Sequence, residues 1–466
     1  MIEEAKSSPS PKGKVIGYLP NDVPPLGSML SLGFQQFLTM FPATVLVAIL
    51  TKFDIGVTLM ASGLGTIIAL LVAKRKIPMY YGSSFSYIAV IQTAMTLYAK
   101  DCFQAAYSAV PYCADGVRVV QVGILLTAVF EILIGLLIMR VGKAALDKVL
   151  PPIITGSMAI VIGIALANSA LGNAGNWAAA DVAWKSWLVA FITLVATIMF
   201  SVYLRGKGLL GMLPILFGAI FGYLVAIPFG LVTFSSVTTA PWLALPRFTF
   251  PAFNNPQAWG MALSIALIFI ATVPESTAHL YQMSLYIDTL AEQLGRKPFE
   301  IKNLIGLNLI ADGSDDLVVG LLGGCAGTNY GENNSLMAIT RNYSTAVLMT
   351  AGGMAIILGF FGKLTALINT LPTAVVGGLS IYLFGVIGMQ GIALIQSEKV
   401  DLFDPKQLAV GAIILICGIG GNLALTNGLF PFKIPYLFPS GIPAIVFAAI
   451  LGILVNLVFV LFKPKE

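Results

Sequence analysis

Residues 272–283 read TVPESTAHLYQM and close an apolar run that opens near Ala258. They carry a carboxylate, Glu275, and the only histidine of the chain, His279. Four residues apart, the two share one face of a helix. Pro274 removes an amide hydrogen and frees a carbonyl one turn earlier, which makes a local polar pocket. A carboxylate desolvated there suits a proton carrier, and the imidazole is placed to donate to it and hold it. The plainer reading is a Glu–His pair that locks the helix. A lone histidine beside a lone carboxylate inside an apolar run favours the chemical reading.

Glu332 differs in kind. It opens the helix expected after the break GGCAGTNYGENNS at 323–335. Free amides at a helix start favour its negative charge, with a simple helix cap as the alternative. A matching break, YYGSSFSYI, covers 80–88. Each break reads as a short extended piece followed by a helix start, with Ser84 or Gly331 near the turn. The two starts would aim the backbone amides of Phe85 and Gly331 into one pocket. Carboxylates accept from ring N–H groups, and amides donate to ring carbonyls. The complementary ligand is a flat heterocycle with alternating N–H and C=O edges, such as a nucleobase.

Other acids also fall inside apolar runs, where a mid-helix charge costs roughly 2.5–3.5 kcal/mol. Glu131 reads as a core or domain-interface residue. Asp312, Asp315 and Asp316, in ADGSDD, are expected to line an aqueous vestibule or to cap a short span. A cation site is the alternative, so sodium stays open beside the proton as coupling ion. No metal or other cofactor is expected, because one histidine does not make an ordinary His-rich zinc site. Enzyme motifs are missing: there is no G-x-S-x-G elbow, and GFFGKL at 359–364 is too short for a phosphate loop. Cys102 and Cys113 share a loop, and a disulfide or two free thiols fit equally well.

The elements that must position these residues are set by composition. Of 466 residues, 58% are hydrophobic and 10% charged, with mean hydropathy +0.91. A soluble domain carries about 25% charged residues, so the chain is read as integral to the lipid bilayer. The net charge of +5 does not indicate nucleic acid, because the basic residues are scattered in short loops. Windows of about 20 apolar residues give fourteen spans, among them a third at 79–98, a ninth at 301–322, a tenth at 331–349 and an eleventh at 350–368. With the N-terminus in the cytoplasm, most of the 26 Lys and Arg fall on the inner side, as the positive-inside bias requires. A polar tail, 1–25, precedes the spans and lacks the apolar core of a cleavable signal. The polar connection at about 229–257 divides the spans seven and seven, so the second repeat is inverted relative to the first, a transporter signature. The fold class is therefore an all-α polytopic membrane protein of two inverted seven-span repeats. Short antiparallel strands in segments 3 and 10 would satisfy each other's amides at membrane depth.

At these residues the sequence resembles the nucleobase–ascorbate transporter family, from about 29 to 462. The most specific match is ENNSLMAITR at 332–341, which keeps the family's Glu332, Asn333, Thr340 and Arg341 and departs at Ser335, where glycine is usual. YGSSFSYI resembles its third-span motif and FQQFLTMFPATVLV its first span, with Gln35-Gln36 where Gln-His is common. The resemblance implies a core domain from spans 1–4 and 8–11 (26–140 and 258–368). It implies a gate domain from spans 5–7 and 12–14 (141–228 and 372–462), which often mediates a homodimer. It also implies elevator-like transport across a bacterial inner membrane, with both termini cytoplasmic. By motif, Glu275 and Glu332 would accept from the base, Phe85 and Gly331 would donate to it, His279 would support Glu275, and Tyr330 would pack nearby. The GEN run resembles uracil-type proton symporters, so uracil is the favoured substrate, a purine base the second, and an anion the third.

Overall fold

The computed structural model describes residues 17–105, 107, 109–142, 148–435 and 437–462. Residues 1–16 of the predicted tail lie outside the described residues. The rest of the tail is tied down by backbone pairing: Tyr18 N donates to Arg341 O, and Tyr343 N to Tyr18 O, at 2.9 and 2.8 Å.

The chain is helical, as lipid demands of a backbone with no water to bond to. The principal helices are α1 (Leu26–Thr51), α2 (Ile55–Val72), α3 (Ile88–Tyr98), α4 (Ala114–Val141), α5 (Pro152–Ala165), α6 (Ala183–Tyr203), α7 (Pro214–Ala226) and α8 (Pro256–Ala266). They continue as α9 (Phe269–Gln293), α10 (Ile305–Leu322), α11 (Gly331–Thr340), α12 (Thr345–Gly359), α13 (Thr373–Ser397), α14 (Pro405–Leu415) and α15 (Ala444–Leu461). Among the described residues, eight helices are long and apolar enough to cross a membrane. The number is nine if α8 and α9, bent by 40° at their break, form one span. The protein is a multi-pass membrane protein.

Helix packing falls into two sets. In one, α4 packs on α10 and α8, and α2 on α10 and α12, with α1 also on α12. In the other, α13 packs on α5 and α6, α7 on α6, and α14 on α5 and α15.

Between α2 and α3 the chain extends as β1 (Tyr81–Ser83), and before α11 as β2 (Gly327–Asn329). The two strands pair antiparallel, with Tyr81 opposite Asn329 and Ser83 opposite Gly327. Flanking bonds extend the ladder: Ser84 N to Ala326 O and Tyr330 N to Tyr80 O, at 2.8 and 2.9 Å. α2 completes the accounting. Ser62 and Thr66 donate to the Tyr81 carbonyl at 2.7 and 3.0 Å, and Tyr81 N donates to Thr66 Oγ1. These bonds give much of the buried extended backbone the partners it needs away from water. Gly82 is required here, because a Cβ would lie 2.5 Å from the Tyr330 ring, which crosses it.

Two expectations need correction. The helix predicted at 331–349 ends at Thr340, Arg341 adopts a left-handed conformation (φ 51°), and a new helix covers Thr345–Gly359. The predicted eleventh span, 350–368, is therefore split between α12 and a short helix, Gly362–Asn369. The polar turn of Arg341 and Asn342 breaks a run whose hydropathy alone reads as continuous. In the loop after α3, Cys102 and Cys113 are disulfide-bonded. Lys52, just past α1, anchors that loop by donating through Nζ to the carbonyls of Cys102 and Ala105, at 2.8 and 2.6 Å.

Candidate functional site

Each strand runs into a helix start. Ser84 caps the first: its hydroxyl accepts from Ser86 N at 3.3 Å, and Phe85–Tyr87 form a 3₁₀ turn leading into α3. The second start, at Gly331, has no side-chain cap. Its first-turn amides have no partner within the helix, and Glu332 stands in that first turn. Tyr330 packs under the junction. Its hydroxyl donates to Ser83 O at 2.8 Å and lies 3.0 Å from Thr44 Oγ1.

α9 faces this junction. Glu275 and Glu332 are both exposed, and the Glu275 carboxylate lies within the electrostatic reach of His279 and of Glu332. The two acids, one on α9 and one in the first turn of α11, thus act on one another. Phe85 meets Phe384 of α13 edge-on, with ring centroids 6.5 Å apart, so the junction also touches the second helix set.

His279 is held differently from the expectation. It does not hydrogen-bond Glu275. Its Nδ1 lies 2.6 Å from Asn329 Oδ1, across to β2. Asn329 is itself oriented, because its Nδ2 donates to Ser276 Oγ at 2.6 Å, and Ser276 Oγ also accepts from Asn308 Nδ2 at 2.7 Å. With the Asn329 amide spent on Ser276, its carbonyl faces the imidazole, so Nδ1 is the donor. That leaves Nε2 as the free nitrogen. A Cβ on Gly331 would sit 2.9 Å from it, so Nε2 lies against the uncapped start of α11. Glycine keeps that approach open.

The structure separates the rest of the signature from the site. Asn333 is fully buried and donates through Nδ2 to Gln36 O and Gln36 Oε1, at 2.9 and 2.7 Å, which ties α11 to α1. Gln36 thus serves as an anchor. Ser335 donates to Gly331 O within its own helix. Thr340 bonds back to Leu336 O at 2.8 Å, and exposed Arg341 reaches Gln293 Oε1 at 3.4 Å; both lie at the far end of α11. Sequence reasoning missed Asn329, Ser276 and Asn308. Asn329, in a strand beside the break, was the one signal available.

The aspartates also need correction. Asp312, Asp315 and Asp316 line no vestibule. They are buried along α10, at 1–2% exposure, opposite Glu131 of α4. Two surface clefts, of ≈ 280 and ≈ 400 Å³, lie beside the Cys102 loop and near Lys297, and neither includes a predicted site residue.

A model of the Permease family (Xan_ur_permease) matches residues 27–426. The uracil permease of Bacillus caldolyticus is 35% identical over 439 residues, which is 94% of this chain and 93% of its own length. That of Bacillus subtilis (strain 168) is 32% identical over 96% of this chain and 95% of its own length. The Escherichia coli (strain K12) uracil permease is 33% identical over 85% and 86%. These relatives are transporters, not enzymes. Among solved structures, the transmembrane domain of the cyanobacterial bicarbonate transporter BicA aligns with TM-score 0.58 at 17% identity, covering 85% of this chain and 96% of that one. The murine Slc26a9 anion transporter, in the inward-facing state, gives 0.63 at 13% identity, covering 98% and 70%. At such identities the likeness is one of fold.

Proposed function

The chain belongs to this permease family, and from that premise we propose that it imports a nucleobase, uracil first, by proton symport. The observation that carries the reading is the pair of exposed carboxylates, Glu275 and Glu332, in each other's field at the uncapped start of α11. Uracil alternates N–H and C=O around its edge. The two acids would accept from its N–H groups, and the amides of Phe85 and Gly331 would donate to its carbonyls. Two facing carboxylates repel each other and ionise together at a cost. A proton on Glu275, or on Nε2 of His279, relieves that cost and would enter with the base. The same pair disfavours an anion as cargo, although the solved structures of like fold include anion transporters.

The wider reading is two inverted seven-span repeats that sort into a core set and a gate set, with the core moving past the gate as an elevator. The two packing sets support it, as does the Phe85–Phe384 contact between them. The gate set would pair two copies in a bacterial inner membrane, with both termini in the cytoplasm.

Radiolabelled uracil uptake in a permease-null strain tests the proposal. Accumulation is expected that a protonophore abolishes and unlabelled uracil outcompetes. Uptake indifferent to the protonophore would remove proton coupling, and uptake displaced only by a purine would reassign the base.

A further inference from the structure

Glu131, Asp312, Asp315 and Asp316 form a cluster that base binding does not use. Each is 1–2% exposed. Their few partners are neutral: Thr272 Oγ1 donates to Glu131 Oε1 at 3.1 Å, and Gly327 N to Asp316 Oδ1 at 2.7 Å. Glu131 Oε2, both oxygens of Asp312, Asp315 Oδ1 and Asp316 Oδ2 have no hydrogen-bond partner among the described residues. The titratable groups acting on the cluster are its own members, Tyr80 and Tyr81 at β1, Tyr87 in the turn before α3, and Glu275 of α9. Among the described residues, no lysine, arginine or histidine is one of them. α2 contributes Gly65, and β2 contributes Gly327. A Cβ on either would fall 1.9 or 1.8 Å from an Asp315 carboxylate oxygen, so that carboxyl fills the whole cleft between α2 and β2.

A second observation is independent of the acids. The hydroxyls of Tyr81 and Tyr87, at 1% and 0% exposure, also lack a partner among the described residues and stand within the cluster's field. Buried hydroxyls with nothing to bond point to protons or a ligand that complete the network. Several buried carboxylates with no cation cannot all be ionised, since each buried ion costs several kcal/mol. Either a metal ion or protons must neutralise them. Among the described residues, no group of three or more His, Cys, Asp or Glu is arranged to hold a metal ion.

We propose that Glu131, Asp312, Asp315 and Asp316 form a second proton-binding site, separate from the base. The proton held on a carboxyl there becomes a donor to the neighbouring carboxyls and tyrosine oxygens. The proton site stands whatever the cargo.

Infrared spectroscopy of the full-length protein in lipid nanodiscs, without any base, reads the site directly. At neutral pH in sodium-free buffer, a protonated-carboxyl C=O band is expected. It should persist in Glu275→Gln and lose part of its intensity in Asp315→Asn and in Glu131→Gln. Exchanging choline chloride for sodium chloride should leave it unchanged. The wild-type arms need no variant to fold. Absence of the band, its loss on adding sodium, or its dependence on Glu275 alone would each overturn the proposal. Because no base is present, a failure of uracil uptake leaves this readout intact.

Discussion

Glu275→Gln is expected to abolish accumulation of uracil in proteoliposomes while leaving exchange across the membrane. The glutamine carbonyl can still accept from a base N–H, but it cannot bind and release a proton near neutral pH. An acid-outside gradient of about one pH unit is worth about tenfold accumulation per coupled proton. The variant should instead settle at an internal-to-external ratio of about one, with labelled uracil still exchanging against unlabelled uracil inside. Undiminished concentrative uptake would refute the role given to this carboxylate. Glu275 is exposed and forms no hydrogen bond to His279, so the substitution should not disturb the imidazole, which Asn329 holds.

Glu332→Ala has a different signature, because its loss falls on binding. A hydrogen bond to a charged acceptor contributes about 1.5–3 kcal/mol, so uracil affinity should fall about tenfold to a hundredfold. Glu332→Gln, which keeps a neutral acceptor, should recover part of the loss. Calorimetric titration of the purified protein at fixed pH measures both. Glu332 is exposed in the first turn of α11, so thermal stability should change little. An affinity unaltered by either substitution would place the base elsewhere.

How far these residues could be read without coordinates follows from what each depends on. That the chain is a helical, multi-pass membrane protein was legible because lipid imposes one rule on every backbone group, and apolar runs betray it. The interruptions at 80–88 and 323–335 coincide with β1 and β2, since Gly, Ser and Asn interrupt helical pattern locally. The boundary after Thr340 was misplaced because hydropathy averages across the turn, although Arg341 and Asn342 marked it. The partner of His279 was misassigned for a deeper reason. Spacing knows only the neighbour one turn away, Glu275, whereas the true partner, Asn329, arrives from a strand fifty residues on. Asn308, Asp312 and Asp315 lie at helical spacing on one face of α10. That they share a face was readable. Whether the face meets water or another helix was not, and it meets α4 with Glu131.

The central claim is that one base lies between two carboxylates, Glu275 of α9 and Glu332 of α11. A uracil-bound structure of the purified protein tests it most directly. The account predicts the ring at the start of α11, with Glu275 and Glu332 each about 3 Å from a ring nitrogen and Nε2 of His279 facing the same space. Uracil seated away from either acid, or contacting only one of them, would contradict it.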